Sequence, residues 1–165
     1  MKSDTKILLA VLSLTVAVMA LIIFTAGSTK PIDASLVNTG KNVRGVDDAK
    51  NTLVEFSDFF CSSCKAAEPY ISQILSKYPK NIKFIYRHFP LPQHPLAFKA
   101  STSAEAAGMQ GKFWEYKEKL FENQETLTEK SFDEIAKNLG LDLDKFNKDN
   151  NSETVLTTVQ GDLNT

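Results

Sequence analysis

Cys61 and Cys64 are the two cysteines of the 165-residue chain, separated by Ser62 and Ser63. A pair at that spacing, set between a strand and a helix, is suited to thiol–disulfide exchange. The thiolate is the reactive form, and the unpaired N–H groups and positive dipole end of a helix favour it. Cys61 falls where such a helix begins and Cys64 one turn further in. The outer sulfur is therefore expected to attack a disulfide, and the inner one to resolve the mixed disulfide that results. A purely structural disulfide is a weak alternative, because so small a loop removes little unfolded-state entropy. A zinc site would have to recruit His88 and His94, whose spacing after Cys64 far exceeds a finger's. Each of those histidines is more simply a loop residue with a local hydrogen bond. Two inert buried thiols are the remaining option, although such neighbours oxidise readily outside the cytoplasm.

Glu55 lies six residues before Cys61, within an apolar run. Buried beneath the pair, its carboxyl would have a raised pKa and would exchange a proton with Cys64; the simpler reading is a carboxylate reaching solvent. Phe59 and Phe60 offer an apolar approach for an unfolded partner, and Lys65 a modest positive potential.

The elements that must hold these groups are legible. Thr52 to Ser57 is a run of β-favouring residues whose apolar character suits a strand buried on both faces. Ser62 to Lys77 repeats apolar residues at helical spacing, with Pro69 inside, where a kink is expected. Asn81 to Phe89 alternates as a second strand, so strand, helix and strand make a βαβ unit with parallel strands. A short first strand is expected around Asn42 to Val46. Helices follow over Leu96 to Ala107 (Pro95 at its first position), Lys112 to Asn123, a segment opened by a capping box at Ser131 to Glu134 and ended by Gly140, Asp142 to Lys148, and from Ser152 onward. Trp114 and its aromatic neighbours read as core, and the charges from Glu115 to Glu125 as a solvated face.

Lys and Arg total 19 against 20 Asp and Glu, a balance that makes nucleic acid a poor partner. Ile7 to Gly27 carries no charge and follows Lys2 and Lys6. It has the length of a membrane-crossing helix, with the N-terminus inside. A cleaved signal is the alternative, with small residues at Thr25 to Ser28. Either reading sends the rest of the chain out of the cytoplasm. The expected organisation is an anchor or signal over residues 1–28, a tether over 29–42 and one domain over 43–165.

The segment VEFSDFFCSSC, with Pro69 eight residues after Cys61, resembles the active site of the thioredoxin fold. FIYRHFPLPQHP and GMQGKFWEYKEKLFEN resemble its DsbA-like branch, where a helical insertion follows the second strand of the βαβ unit. The resemblance runs from about Val43 to Asn150. It implies an extracytoplasmic enzyme that forms or rearranges disulfides in secreted proteins, with Cys61 as nucleophile, Cys64 as resolving cysteine and Glu55 as buried acid. It implies no metal or organic cofactor. An oxidase would need a membrane quinone-linked partner and a reductase an electron donor. Ser62-Ser63 departs from the dipeptides of well-known members, so the redox poise is open. No proline follows Pro95, so the cis-proline loop, the hairpin and the last helix of the family are expected to be missing and the sequence to be a fragment. A catalytically idle module that holds clients or organises a membrane complex is the competing expectation.

Overall fold

The computed structural model describes residues 3–26, 36–37 and 41–165, with side chains of the first stretch described over 9–22. The chain divides into two compact units, residues 1–33 and 34–165. In the first, helix α1 spans Ser3–Ala26, and every described side chain on it is exposed. Among the described residues no helix is long and apolar enough to cross a membrane. Gly27 and Ser28 of the expected cleavage region, and most of the 29–42 tether, lie outside the described residues.

The second unit is built on strands β1 (Val43–Gly45), β2 (Asn51–Ser57) and β3 (Ile82–His88), in the order β1-β3-β2. β2 and β3 run parallel with Glu55 opposite Tyr86 and Ser57 opposite His88, whereas β1 is antiparallel to β3. Gly45 ends β1 at φ +91, and a Cβ there would stand 2.2 Å from the Ile82 carbonyl oxygen. Only glycine fits that turn.

Helix α2, Ser62–Lys77, connects β2 to β3 and runs unbroken across Pro69. Five further helices follow: α3 (Ala97–Gly108), α4 (Phe113–Glu122), α5 (Glu129–Asn138), α6 (Leu143–Asn150) and α7 (Glu153–Leu163), with a 3-10 turn at Gln124–Thr126. The alanine-rich α3 lies among α4, α6 and α7, because its small side chains let three helices approach closely. Phe84 and Tyr86 of β3 join Phe59, Phe113, Tyr116, Leu120, Phe121, Phe132 and Phe146 in one core. Ile85, next to both in sequence, is also buried, as are Val155 and Val159 of α7, which packs against β3.

Three expectations change. β2 is half-buried with Phe56 exposed, since β3 is its one neighbour in the described sheet. The capping box opening α5 is Thr128 with Ser131 rather than Ser131 with Glu134, because Ser131 turns back to receive the Thr128 N–H. Pro95 precedes α3, whose cap is Leu96.

Candidate active site

β2 delivers Ser57, Asp58 and Phe59 into the core in succession, and the chain then turns sharply into α2. Asp58 makes that turn. Its carboxylate accepts the Phe60 N–H at 2.7 Å and, from the loop after β3, the Leu91 N–H at 2.9 Å, with His94 Nδ1 at 2.6 Å. Its carbonyl accepts the Cys61 N–H at 3.1 Å. From the other side, the Gln124 amide donates to the carbonyls of Phe59 at 2.8 Å and Cys61 at 3.0 Å. A buried carboxylate and a buried amide thus clamp the loop that carries Cys61.

Cys61 is the N-cap of α2, in extended backbone at φ −84 and ψ 118, and both cysteines are free thiols, half-buried. Their environments push them apart. The Cys64 backbone N–H, helped by the Cys64 thiol and the Ser63 N–H, lowers the pKa of Cys61 against the opposing effects of burial and Asp58. Burial raises that of Cys64, partly offset by the Asp58 backbone N–H and the Ser57 hydroxyl. The outer sulfur is therefore the better thiolate and the inner one the protonated reserve.

Glu55 sits on β2 with its side chain only 10% exposed. Burial pushes its pKa up to about 7; Lys117 opposes the rise and Glu68 adds to it. Lys117 Nζ stands 3.9 Å from Glu55 Oε2, pairs directly with Glu68 of α2, and lies 5.1 Å from the ring centres of Tyr86 and Phe121. The 115–125 charge run is thus not wholly a solvated face. Its Lys117 is buried, as its position four residues from both Phe113 and Phe121 allows.

Other expectations shift as well. Phe59 offers no approach to a partner, being 0% exposed with its ring against Tyr86 and Phe121, while Phe60 remains half-buried. Lys65 stands 3.7 Å from Glu125, which tempers its potential. His88 is a strand residue rather than a loop one, buried with Nε2 at 2.8 Å from Glu105. That pairing holds the Glu105 carboxyl below its ordinary pKa, against the effect of burial. Among the described residues no group of three or more His, Cys, Asp or Glu is placed to hold a metal.

Cys61 and Cys64 lie at the start of α2 and Glu55 on the strand before it, and the structure sets Ser57, Asp58, Lys117 and Gln124 around them. Asp58 and Ser57 carried a signal in their place between the apolar strand and Cys61. Gln124 carried none, because a glutamine after a helix looks like any surface amide.

The thioredoxin family model matches residues 38–165. A thioredoxin-like oxidoreductase from Silicibacter pomeroyi superposes with a TM-score of 0.71 at 25% identity, over 81% of this chain and 76% of that one. BdbD from Bacillus subtilis, in its oxidised form, gives 0.65 at 26%, over 74% and 71%. The thiol-disulfide exchange protein alpha-DsbA2 from Wolbachia pipientis gives 0.70 at 23%, over 78% and 70%, a likeness of fold. Among sequences, a Na(+)/H(+) antiporter NhaA 1 from Mycolicibacterium vanbaalenii is 38% identical over 109 residues, 66% of this chain. The chain spans under a fifth of the length of that relative, 18%. With the family model covering residues 38–165, from β1 to α7, the chain belongs to the thioredoxin family and has the fold of the DsbA-like structures.

Proposed function

We propose that the chain is a thiol–disulfide oxidoreductase that exchanges disulfides with cysteine-containing client proteins through Cys61 and Cys64. The observation that carries this reading is the placement of Cys61 as the N-cap of α2 with Cys64 one turn further in, which shifts the two thiols in opposite directions. Cys61, lowered, attacks a client disulfide and releases one client sulfur as thiolate. Cys64, raised, stays protonated until it is needed, then attacks Cys61 and releases the client. Glu55, with a pKa near 7, accepts the Cys64 proton on resolution and returns it when the pair runs the other way. The chemistry is intrinsic to the dithiol. An oxidase would be recharged by a membrane quinone-linked partner, a reductase by an electron donor.

Residues 43–165 form the catalytic domain in this reading, and Ile7 to Gly27 is a single-pass anchor that holds it outside the cytoplasmic membrane, with a secreted form after signal cleavage as the alternative. The support is the uncharged stretch itself and the two lysines before it. The likeness to Na(+)/H(+) antiporters covers a small part of those proteins, and antiport is not proposed for this chain.

A glutathione redox titration of the full chain in detergent, read by thiol alkylation and mass, tests the function. A reversible two-electron transition is expected, absent from Cys61→Ser, with its midpoint showing whether the pair is oxidant or reductant. A folded protein whose pair never exchanges would sink the reading and leave a client-binding module.

A further inference from the structure

Two buried oxygens on one face of β2 lack a hydrogen bond of good geometry: Glu55 Oε2 and Ser57 Oγ. Leaving a buried polar group unsatisfied costs about 1–3 kcal/mol, so two neighbours in that state ask for an explanation. They are two residues apart on the strand and therefore point to the same side. Ser57 is 1% exposed. Its hydroxyl faces the Glu55 carboxyl and the Cys64 thiol alike, and favours the ionised form of each. Glu68 of α2 also faces the Glu55 carboxyl, and raises its pKa. Lys117 is committed to Glu68 and Glu55. Tyr86, whose hydroxyl reaches the Ser57 carbonyl at 3.5 Å, is held protonated by burial, with its pKa well above the ordinary value. Cys61 and Asp58 face the sulfur pair from the loop, Asp58 with its carboxylate occupied by Phe60, Leu91 and His94.

We propose that the Ser57 hydroxyl carries the proton between Cys64 and Glu55 during resolution. This rests on the oxidoreductase reading and deepens it. A hydroxyl both donates and accepts, so it passes a proton without changing its own charge. Cys64 gives its proton to Ser57 Oγ as Ser57 gives its own to the Glu55 carboxylate. The Cys64 thiolate attacks Cys61 Sγ, the Cys61–Cys64 bond forms and the Cys61–client bond breaks. The electron pair leaves on the client sulfur, which takes a proton from water. In the reverse direction a client thiolate attacks Cys61 and the departing Cys64 is reprotonated along the same path. The two-electron balance closes between the dithiol and the client disulfide.

The reduced full chain, mixed rapidly with 5,5′-dithiobis(2-nitrobenzoate), reports the two steps separately. Attack by Cys61 releases the first coloured thiolate, and resolution by Cys64 releases the second. Ser57→Ala is expected to slow the second release about tenfold between roughly pH 6 and 8, a modest share of what a positioned acid or base contributes. The first release and its pH profile are expected to stay unchanged. In a Glu55→Gln background, Ser57→Ala is expected to have almost no further effect, since the path is already cut. Ser57→Thr, which restores a hydroxyl, is expected to recover most of the rate. An unchanged second release in Ser57→Ala would overturn the relay, and so would equal slowing of both releases or a full effect in the Glu55→Gln background. A wild-type chain that gives no first release would instead overturn the oxidoreductase reading, and the relay with it.

Discussion

The strand–helix half that carries the cysteines and the helical insertion beside it are built differently. α2 has no fully buried residue, and Tyr70 and Ile74 on it, like Tyr78 at its C-cap, are exposed. α3 buries nine of its 12 residues. α2 itself is thus thinly packed, and polar reaches from the helices across the core add to the partly buried Ile71 and Leu75 that hold it. Gln124 grips the carbonyls of the Cys61 loop, Lys117 grips Glu68 and Glu55, and Glu105 grips His88. Directional bonds fix a sulfur's position while leaving α2 thinly covered. A redox helix benefits from both, because its N-terminus must meet a client and yet hold Cys61 against the Cys64 N–H.

The largest expected effect falls where the two halves share apolar contact. Phe59 comes from the reactive loop but packs wholly into the core of the other half. Phe59→Ala is expected to cost about 4 kcal/mol in urea unfolding, the usual price of emptying a buried phenylalanine site. A loss under about 1 kcal/mol would show that the loop is held by its polar clamps alone.

Next in size is Glu55, where the polar reach carries a pH signature. Its native pKa is raised from 4.5 to about 7, so the folded state holds this proton more tightly than the unfolded chain. Stability from this group is therefore full below about pH 4.5 and falls as pH rises, until the loss is complete above about 7. The shift corresponds to a ceiling of about 3 kcal/mol. Glu55→Gln removes the titration, so its stability relative to the wild type is expected to rise by up to that amount between roughly pH 4 and 8. A pH-independent difference would place Glu55 in a far wetter setting than the structure gives it.

Much of this contrast was readable beforehand, unevenly. The bounds of α2 and the parallel pairing of β2 with β3 follow from periodicity, and Cys61 does cap α2. The depth of burial did not follow. Thr52 to Ser57 reads as a doubly buried strand because its apolar run is continuous, but sheet position is a tertiary fact, and β2 has one described neighbour. Phe59 and Lys117 fail in opposite directions. An aromatic beside a reactive cysteine looks like a docking surface, and a lysine in a charge run looks solvated, until a partner across the core covers each. The bonds of Asp58 to the loop after β3 and of Gln124 to the Cys61 loop form only when segments distant in sequence meet.

Gln124 ranks third. It donates two neutral hydrogen bonds to carbonyls of the Cys61 loop. Gln124→Ala is expected to cost about 2 kcal/mol, roughly one for each bond lost. It should also slow the first thiolate release severalfold, since Cys61 would sample positions away from the Cys64 N–H. Loss of stability with an untouched first release would separate holding the loop from positioning the sulfur.

The smallest expected effect is the sharpest check on the contrast. Tyr70 lies on α2, 68% exposed, and alanine favours a helix slightly more than tyrosine does. If α2 is held by Ile71, Leu75 and Lys117, Tyr70→Ala should leave the unfolding midpoint within about 0.5 kcal/mol of the wild type, as exposed substitutions usually do. A loss above about 1.5 kcal/mol would mean that the outer face of α2 is covered in solution. The thinly packed helix would then be a buried one, and the polar reaches from the insertion would count for less beside its apolar packing.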